Sequence, residues 1–220
     1  MIRPIRRPTG RCEMTDSAKL IEVLGNVKEA IDANAEYLTD LDAAIGDSDH
    51  GINLARGFRK VAEDLPAMAG KDIGAILKKT GMDLVSTVGG SSGPLYGTAF
   101  MKAGASAAGK SEINTEDFLN MFSAAIGGVK MRGKSEEGEK TMLDAMGPAL
   151  RAAEEAAAAG KSAKEMLEAA AAAAAEGAAF TKTIIATKGR AAYLGERSLG
   201  HVDPGAASFA VIMKTVAESY

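Results

Sequence analysis

Apolar side chains recur at the 3.6-residue period of an α-helix along almost the whole chain, and this rhythm constrains the fold more than any other feature. Leu20, Leu24, Val27 and Ile31 keep it, as do Leu54, Phe58, Val61 and Leu65. Ile73, Leu77 and Leu84 continue it with one interruption at Gly81, and Phe118, Phe122, Ile126 and Val129 repeat it farther on. Each such stripe must be buried against another. Strand signals are scarce. Thr183-Ile184-Ile185 is the one β-branched cluster of note, and it reads equally well as a helix end.

Helix starts can be read from capping chemistry. Thr115 before Glu116 and Asp117 predicts one, because a hydroxyl and two carboxylates suit the free N–H groups and the dipole of a first turn. Thr141 with Asp144 resembles a capping box, and Ser162 with Glu165 fits that pattern better. Asp203-Pro204 places a cap before a proline at the first helical position. Alanine, the strongest helix former, crowds Ala152 to Ala179, and Gly160 breaks the run into a helical hairpin. The expectation is an all-α fold, about eight antiparallel helices forming a barrel or bundle, in one domain over residues 15–220. Residues 1–14 are basic, with Arg3, Arg6, Arg7 and Arg11 but no apolar core, so they read as a flexible tail and not a secretory signal.

Composition excludes several functions. The 220 residues suffice for one well-buried core. A net charge of −3 offers no basic field to nucleic acid. No apolar run approaches the roughly 20 residues that span a membrane. A single cysteine, Cys12, leaves no internal disulfide and suits a reducing cytoplasm.

The 25 glycines are too many for a plain bundle, and they gather between the helices in four polar loops. The first, Asp42 to Gly51, carries Asp42, Asp47 and Asp49 within eight residues. Carboxylates held this close repel each other unless a cation joins them, and Mg2+ takes oxygen ligands from carboxylates and phosphates. A solvated acidic turn is the plainer alternative. An EF-hand is excluded, because Phe58 stands where its loop needs a bidentate glutamate. His50 reads as a hydrogen-bonded structural histidine or, less simply, as a phosphohistidine. In the second loop, Gly89 to Gly97, glycines and two serines precede a helix with Pro94 in its first turn, which suits an anion or a mere flexible connection. No Walker lysine follows, and no strand precedes it as in a dinucleotide fold. The third, Lys130 to Lys134 with Thr141-Met142, could seat phosphate and a base, or be a surface loop beside a core methionine. The fourth, Lys188 to Gly205, is long and charged for a mere connection, and an arginine in it could offset charge on a transferring phosphoryl group.

Together, IGDSDHG, GGSSGPLYG, RGK with KTMLDA, and KGRAAYLGERSLGHVDPGA resemble, in order and spacing, the ADP-binding L subunits of bacterial dihydroxyacetone kinases and the equivalent domain of one-chain kinases. The match runs from about Ser17 to the end. The resemblance implies an eight-helix barrel with tightly bound ADP/ATP and two Mg2+ at one end. It implies Asp42, Asp47 and Asp49 as metal ligands. His50, Gly51, Asn53, Ser91 and Ser92 would lie beside the phosphates, Gly133 and Met142 around the nucleotide, and Arg190 and Asp203 in a closing loop, with Arg190 catalytic. It further implies a cytoplasmic phosphotransferase working with a dihydroxyacetone-binding K subunit and a phosphohistidine M subunit of the sugar phosphotransferase system. The alternatives are a kinase for another short ketose or tetrose, and a nucleotide-dependent module that signals to a transcription regulator.

Overall fold

The computed structural model describes residues 15–220, so the expected basic tail lies outside the described residues. Within them, α1 (Ser17–Ala33), α2 (Ala35–Ile45), α3 (His50–Asp64), α4 (Ile73–Thr87), α5 (Ser92–Ser106), α6 (Thr115–Gly133), α7 (Leu143–Ala158), α8 (Ala163–Phe180) and α9 (Pro204–Glu218) follow one another. Short 3-10 segments lie at Leu65–Met68, Thr181–Thr183 and Arg190–Ser198. One minimal strand pair, β1 (Thr15–Asp16) with β2 (Glu112–Ile113), joins antiparallel with Thr15 opposite Ile113.

The helices close into a ring. From α3 to α9 each packs on the next, and both α1 and α2 lie between α3 and α9. These two are halves of one stave, broken at Asn34, whose N–H still reaches back to Ala30 and Ile31 carbonyls. The nine α-helices among the described residues are thus the expected eight with the first one kinked. Beside two smaller apolar clusters around Ile73 and Ile45, the main cluster of the interior includes Leu24, Val27, Ile31, Leu54, Phe58, Leu84, Phe122, Val129 and Phe209. An apolar recess of about 190 Å3 remains within it, and Tyr96 and Met142 separate that recess from the polar cleft described below.

Small residues set how closely the staves approach. A Cβ on Gly81 would sit 2.6 Å from the Gly97 carbonyl oxygen, so α4 and α5 meet backbone to backbone. The alanine hairpin does the same between α7 and α8, burying Ala145, Ala149 and Ala153 with Ala170 and Ala174. No helix among the described residues is long and apolar enough to cross a membrane.

The caps largely follow the sequence. Ser162 with Glu165 forms a complete capping box, and the Asp203 carboxylate accepts the Ala206 N–H ahead of Pro204. At α6 the cap is Asn114, one residue before the expected Thr115, in a box completed by Asp117. The Thr141–Asp144 box is half made: Asp144 accepts the Thr141 N–H, while the Thr141 hydroxyl accepts from Leu143. Lys130 to Gly133, expected in a loop, remains the last turn of α6.

Candidate functional site

In a ring of staves that run alternately up and down, every second connection lies at the same end. The α2–α3, α4–α5, α6–α7 and α8–α9 connections are such a set, and the four polar segments fall on them, although Gly51, Gly93, Gly133 and Gly205, expected between helices, lie within α3, α5, α6 and α9. By the same alternation α3, α5, α7 and α9 all begin at that end, so four positive helix termini converge there. Between them lies a cleft of about 450 Å3, lined from all four loops.

Asp42, on the last turn of α2, is buried, and one carboxylate oxygen accepts the N–H groups of Asp49 (2.9 Å) and His50 (3.2 Å). This fixes the turn and offsets the α3 terminus. Asp47 and Asp49 extend from that turn, and one oxygen from each of the three carboxylates lies within 4.8 Å of the others. The donors are all hard oxygens, with no thiolate or imidazole in the cluster. Such a set fits Mg2+ and not a soft metal. Arg190 forms an ion pair with Asp47 at 2.8 Å, which places the fourth loop over the first.

His50 is buried at the start of α3, with Nδ1 3.0 Å from the Ser92 hydroxyl and Nε2 2.9 Å from that of Ser208. Ser208 lies 2.7 Å from the Tyr96 hydroxyl and donates to the Gly205 carbonyl at 3.0 Å. Ser208 therefore accepts from His50 Nε2–H, leaving Nδ1 to accept from Ser92. Burial holds the imidazole below its usual pKa despite the pull of Asp42, Asp49 and Asp47. With both nitrogens engaged, a phosphohistidine at position 50 has no support. Burial likewise drives the Tyr96 phenol upward.

The α5 terminus differs from its neighbours. Asp42 meets α3, Asp144 accepts N–H groups of Gly138 and Thr141 ahead of α7, and Asp203 caps α9. At α5, Ser91 makes no side-chain cap, and Gly89, Gly90, Ser91 and Ser92 all line the cleft. An uncapped helix start behind two glycines presents backbone donors to an anion. Gly133 and Met142 also line the cleft, and Arg132 and Lys188 add cations to it. Burial pushes the Asp203 carboxyl up to about 7, opposed by the bond from Ala206 and reinforced by Asp144.

Of the residues singled out in the sequence, Gly51 and Asn53 do not line the cleft. A side chain at Gly51 would run into the Ala35 carbonyl, so this glycine lets α3 pack on α2. Asn53 is buried against Gly89 and accepts from Arg56 at 2.7 Å. It supports the second loop from behind. Ser208 and Lys140 carry no local pattern in the sequence, because their partners lie far along the chain. Lys140 lines the cleft yet is only 1% exposed.

A family model described as the DAK2 domain matches residues 44–218. The chain is 46% identical over 199 residues to the PEP-dependent dihydroxyacetone kinase, ADP-binding subunit DhaL, of Escherichia coli (strain K12), covering 90% of this chain and 95% of that one. It is 33% identical to the L-erythrulose 1-kinase of Mycolicibacterium smegmatis, covering 90% of this chain but 35% of that protein. Among solved structures, the dihydroxyacetone kinase from C. freundii in complex with AMP-PNP and Mg2+ matches with a TM-score of 0.69 and 29% identity, covering 100% of this chain and 37% of that one.

Proposed function

The chain belongs to the DAK2-domain family, and we propose that it is the ADP-binding phosphotransfer subunit of a dihydroxyacetone kinase. On this reading its bound ADP is rephosphorylated by a phosphohistidine protein of the sugar phosphotransferase system, and the ATP formed phosphorylates dihydroxyacetone on a separate K subunit. The observation that carries it is that three converging carboxylates and an uncapped helix start line one cleft.

Each group has a task. Asp42, Asp47 and Asp49 would hold two Mg2+, which when bound neutralise phosphate oxygens. The first N–H groups of α5, that of Ser92 among them, and the Ser91 hydroxyl bind and orient those oxygens. His50 Nδ1 accepts from the Ser92 hydroxyl and so anchors the start of α5 from behind. Gly133 and Met142 offer a small and an apolar surface to the base, and Asp203 closes that wall. Arg190, on the exposed rim, offsets negative charge as the phosphoryl group moves. No nucleophile or general base is required of this chain, because the acceptor hydroxyl arrives on a partner. A phosphoryl exchange of this kind belongs in the cytoplasm.

The test is reconstitution. The purified chain alone is expected to leave dihydroxyacetone untouched, and to support its phosphorylation once a K subunit, the phosphohistidine protein and a phosphoryl source are added. Full activity of the lone chain overturns the subunit reading. Copurification of ADP and magnesium checks that the nucleotide is held as a resident cofactor. The likeness to an L-erythrulose 1-kinase supports a second reading, a tetrose acceptor, which the same assay decides by substrate. A signal to a transcription regulator would appear as selective capture of that regulator by the ADP-loaded or the ATP-loaded form.

A further inference from the structure

We infer that Lys140 is a positioning residue for phosphoryl transfer, whose ammonium ties together both ends of the loop that carries Arg190. This deepens the function proposed above and rests on it for the role of Arg190. The Lys140 ammonium donates to the carbonyls of Thr181 and Ile184, where the loop leaves α8, and to that of His201, where it returns toward α9. Three ammonium protons thus meet three backbone acceptors. A lysine serving as a phosphate ligand would aim its protons into the cleft; this one spends them on the neck of the loop. The neck is otherwise closed by the Gly200 N–H on the Lys182 carbonyl (2.8 Å) and the Asp203 N–H on the Thr181 hydroxyl (2.9 Å).

The preceding residue grips the arm of the same loop. The Glu139 carbonyl accepts the Thr187 N–H at 3.3 Å, and its carboxylate accepts the Thr187 hydroxyl at 3.2 Å and pairs with Lys188 at 3.8 Å. The following residues, Thr141 and Met142, line the cleft. Residues 139–142 therefore link the wall beside Gly133 to the loop that sets Arg190 against Asp47. Lys140 holds this place with φ at +60°, a left-handed backbone that a non-glycine residue adopts only where its surroundings fix it. Burial lowers the ammonium pKa, opposed by Asp203 and Asp144.

The experiment is limited trypsin digestion of the full chain without nucleotide, read by mass spectrometry at Lys188, Arg190 and Arg197, alongside the reconstituted assay. Lys140→Met is expected to speed cleavage at these sites about tenfold or more while cleavage elsewhere stays at the parent rate, because only the loop is loosened. In the assay it should lower kcat about tenfold while KM for the acceptor moves less than about twofold, since the acceptor sits on the partner. Loop cleavage at the parent rate, or a kcat like the parent's, overturns the proposal. If the Met variant does not fold, Lys140→Gln, which keeps two donors, decides the matter by the same two readouts with smaller effects of the same sign. The digestion needs no nucleotide, so it fails independently of the kinase reading, which falls instead if the parent chain binds no ADP with Mg2+.

Discussion

A carboxyl held near 7 makes Asp203 a residue through which pH acts on the cleft. The unfolded chain loses this proton near 3.8 and the folded chain only near 7, so between those values the unfolded state binds fewer protons. This group's contribution to stability therefore falls as pH rises from about 4 to about 7 and is level above that. Asp203→Asn keeps a cap for α9 and removes the titration. In nucleotide-free, metal-free protein it should be about 2–4 kcal/mol more stable than the parent at pH 8, with the gap closing by pH 4, as urea unfolding would show. A gap independent of pH would remove Asp203 from this role. Asp47→Asn tests the metal side. At free ligand about 100 times Kd the parent gains ~2.7 kcal/mol from ADP with Mg2+, and a tenfold weaker Kd leaves ~1.4. An unchanged melting shift in this variant would take Asp47 out of the site. The clustering of Asp42, Asp47 and Asp49 could be read from sequence because one helix end and one turn hold all three. Ser208 could not, since it bonds a histidine 158 positions away, nor Lys140, whose acceptors come from both ends of a distant loop.

At the scale of helices, alanine content located α7 and α8 and a cap with proline located α9, while the apolar period located the staves of α1, α3, α4 and α6, because each stripe faces one interior. The break at Asn34 escaped it, since the stripe carries on from Ile31 to Leu38 across the kink. The cap at Asn114 escaped for a local reason: asparagine and threonine are both good caps, and only the made bonds choose between them. Gly81 was legible as an interruption, but its meaning needed the partner helix. Gly81→Ala would press a methyl onto the Gly97 carbonyl, and α4 and α5 cannot separate without opening the ring. The expected cost is about 1–3 kcal/mol of unfolding free energy, larger than the helix propensity gained by alanine. Equal or higher stability in denaturant melts would show that the two helices can slide to make room.

For the molecule as a whole, closure of the ring divides labour between its ends. Loops at one end hold polar chemistry, and those at the other only turn the chain. The loops that line the cleft therefore alternate along the sequence with those that do not. Their motifs are legible in the residues alone, whereas their meeting in one cleft follows only from the up-and-down order of the staves. The plain end includes the turn at Gly160, where φ is +72°, and both ends of the described chain, with the Thr15 hydroxyl against that of Tyr220. Asn26 also donates to Ser219 at 3.1 Å, so α9 is already stitched to α1. Joining residue 220 to residue 15 through a short Gly-Ser linker and opening the chain at Gly160 should therefore leave every cleft residue in place. Exposed turns and neighbouring termini are where such permutation is tolerated. The permuted chain is expected to bind ADP with Mg2+ within about threefold of the parent Kd by calorimetry, and to melt somewhat lower because α7 and α8 lose their tight connection. If binding were lost while the helical content stayed intact, the cleft would depend on the α7–α8 connection at the far end of the barrel, and the separation of the two ends would be wrong.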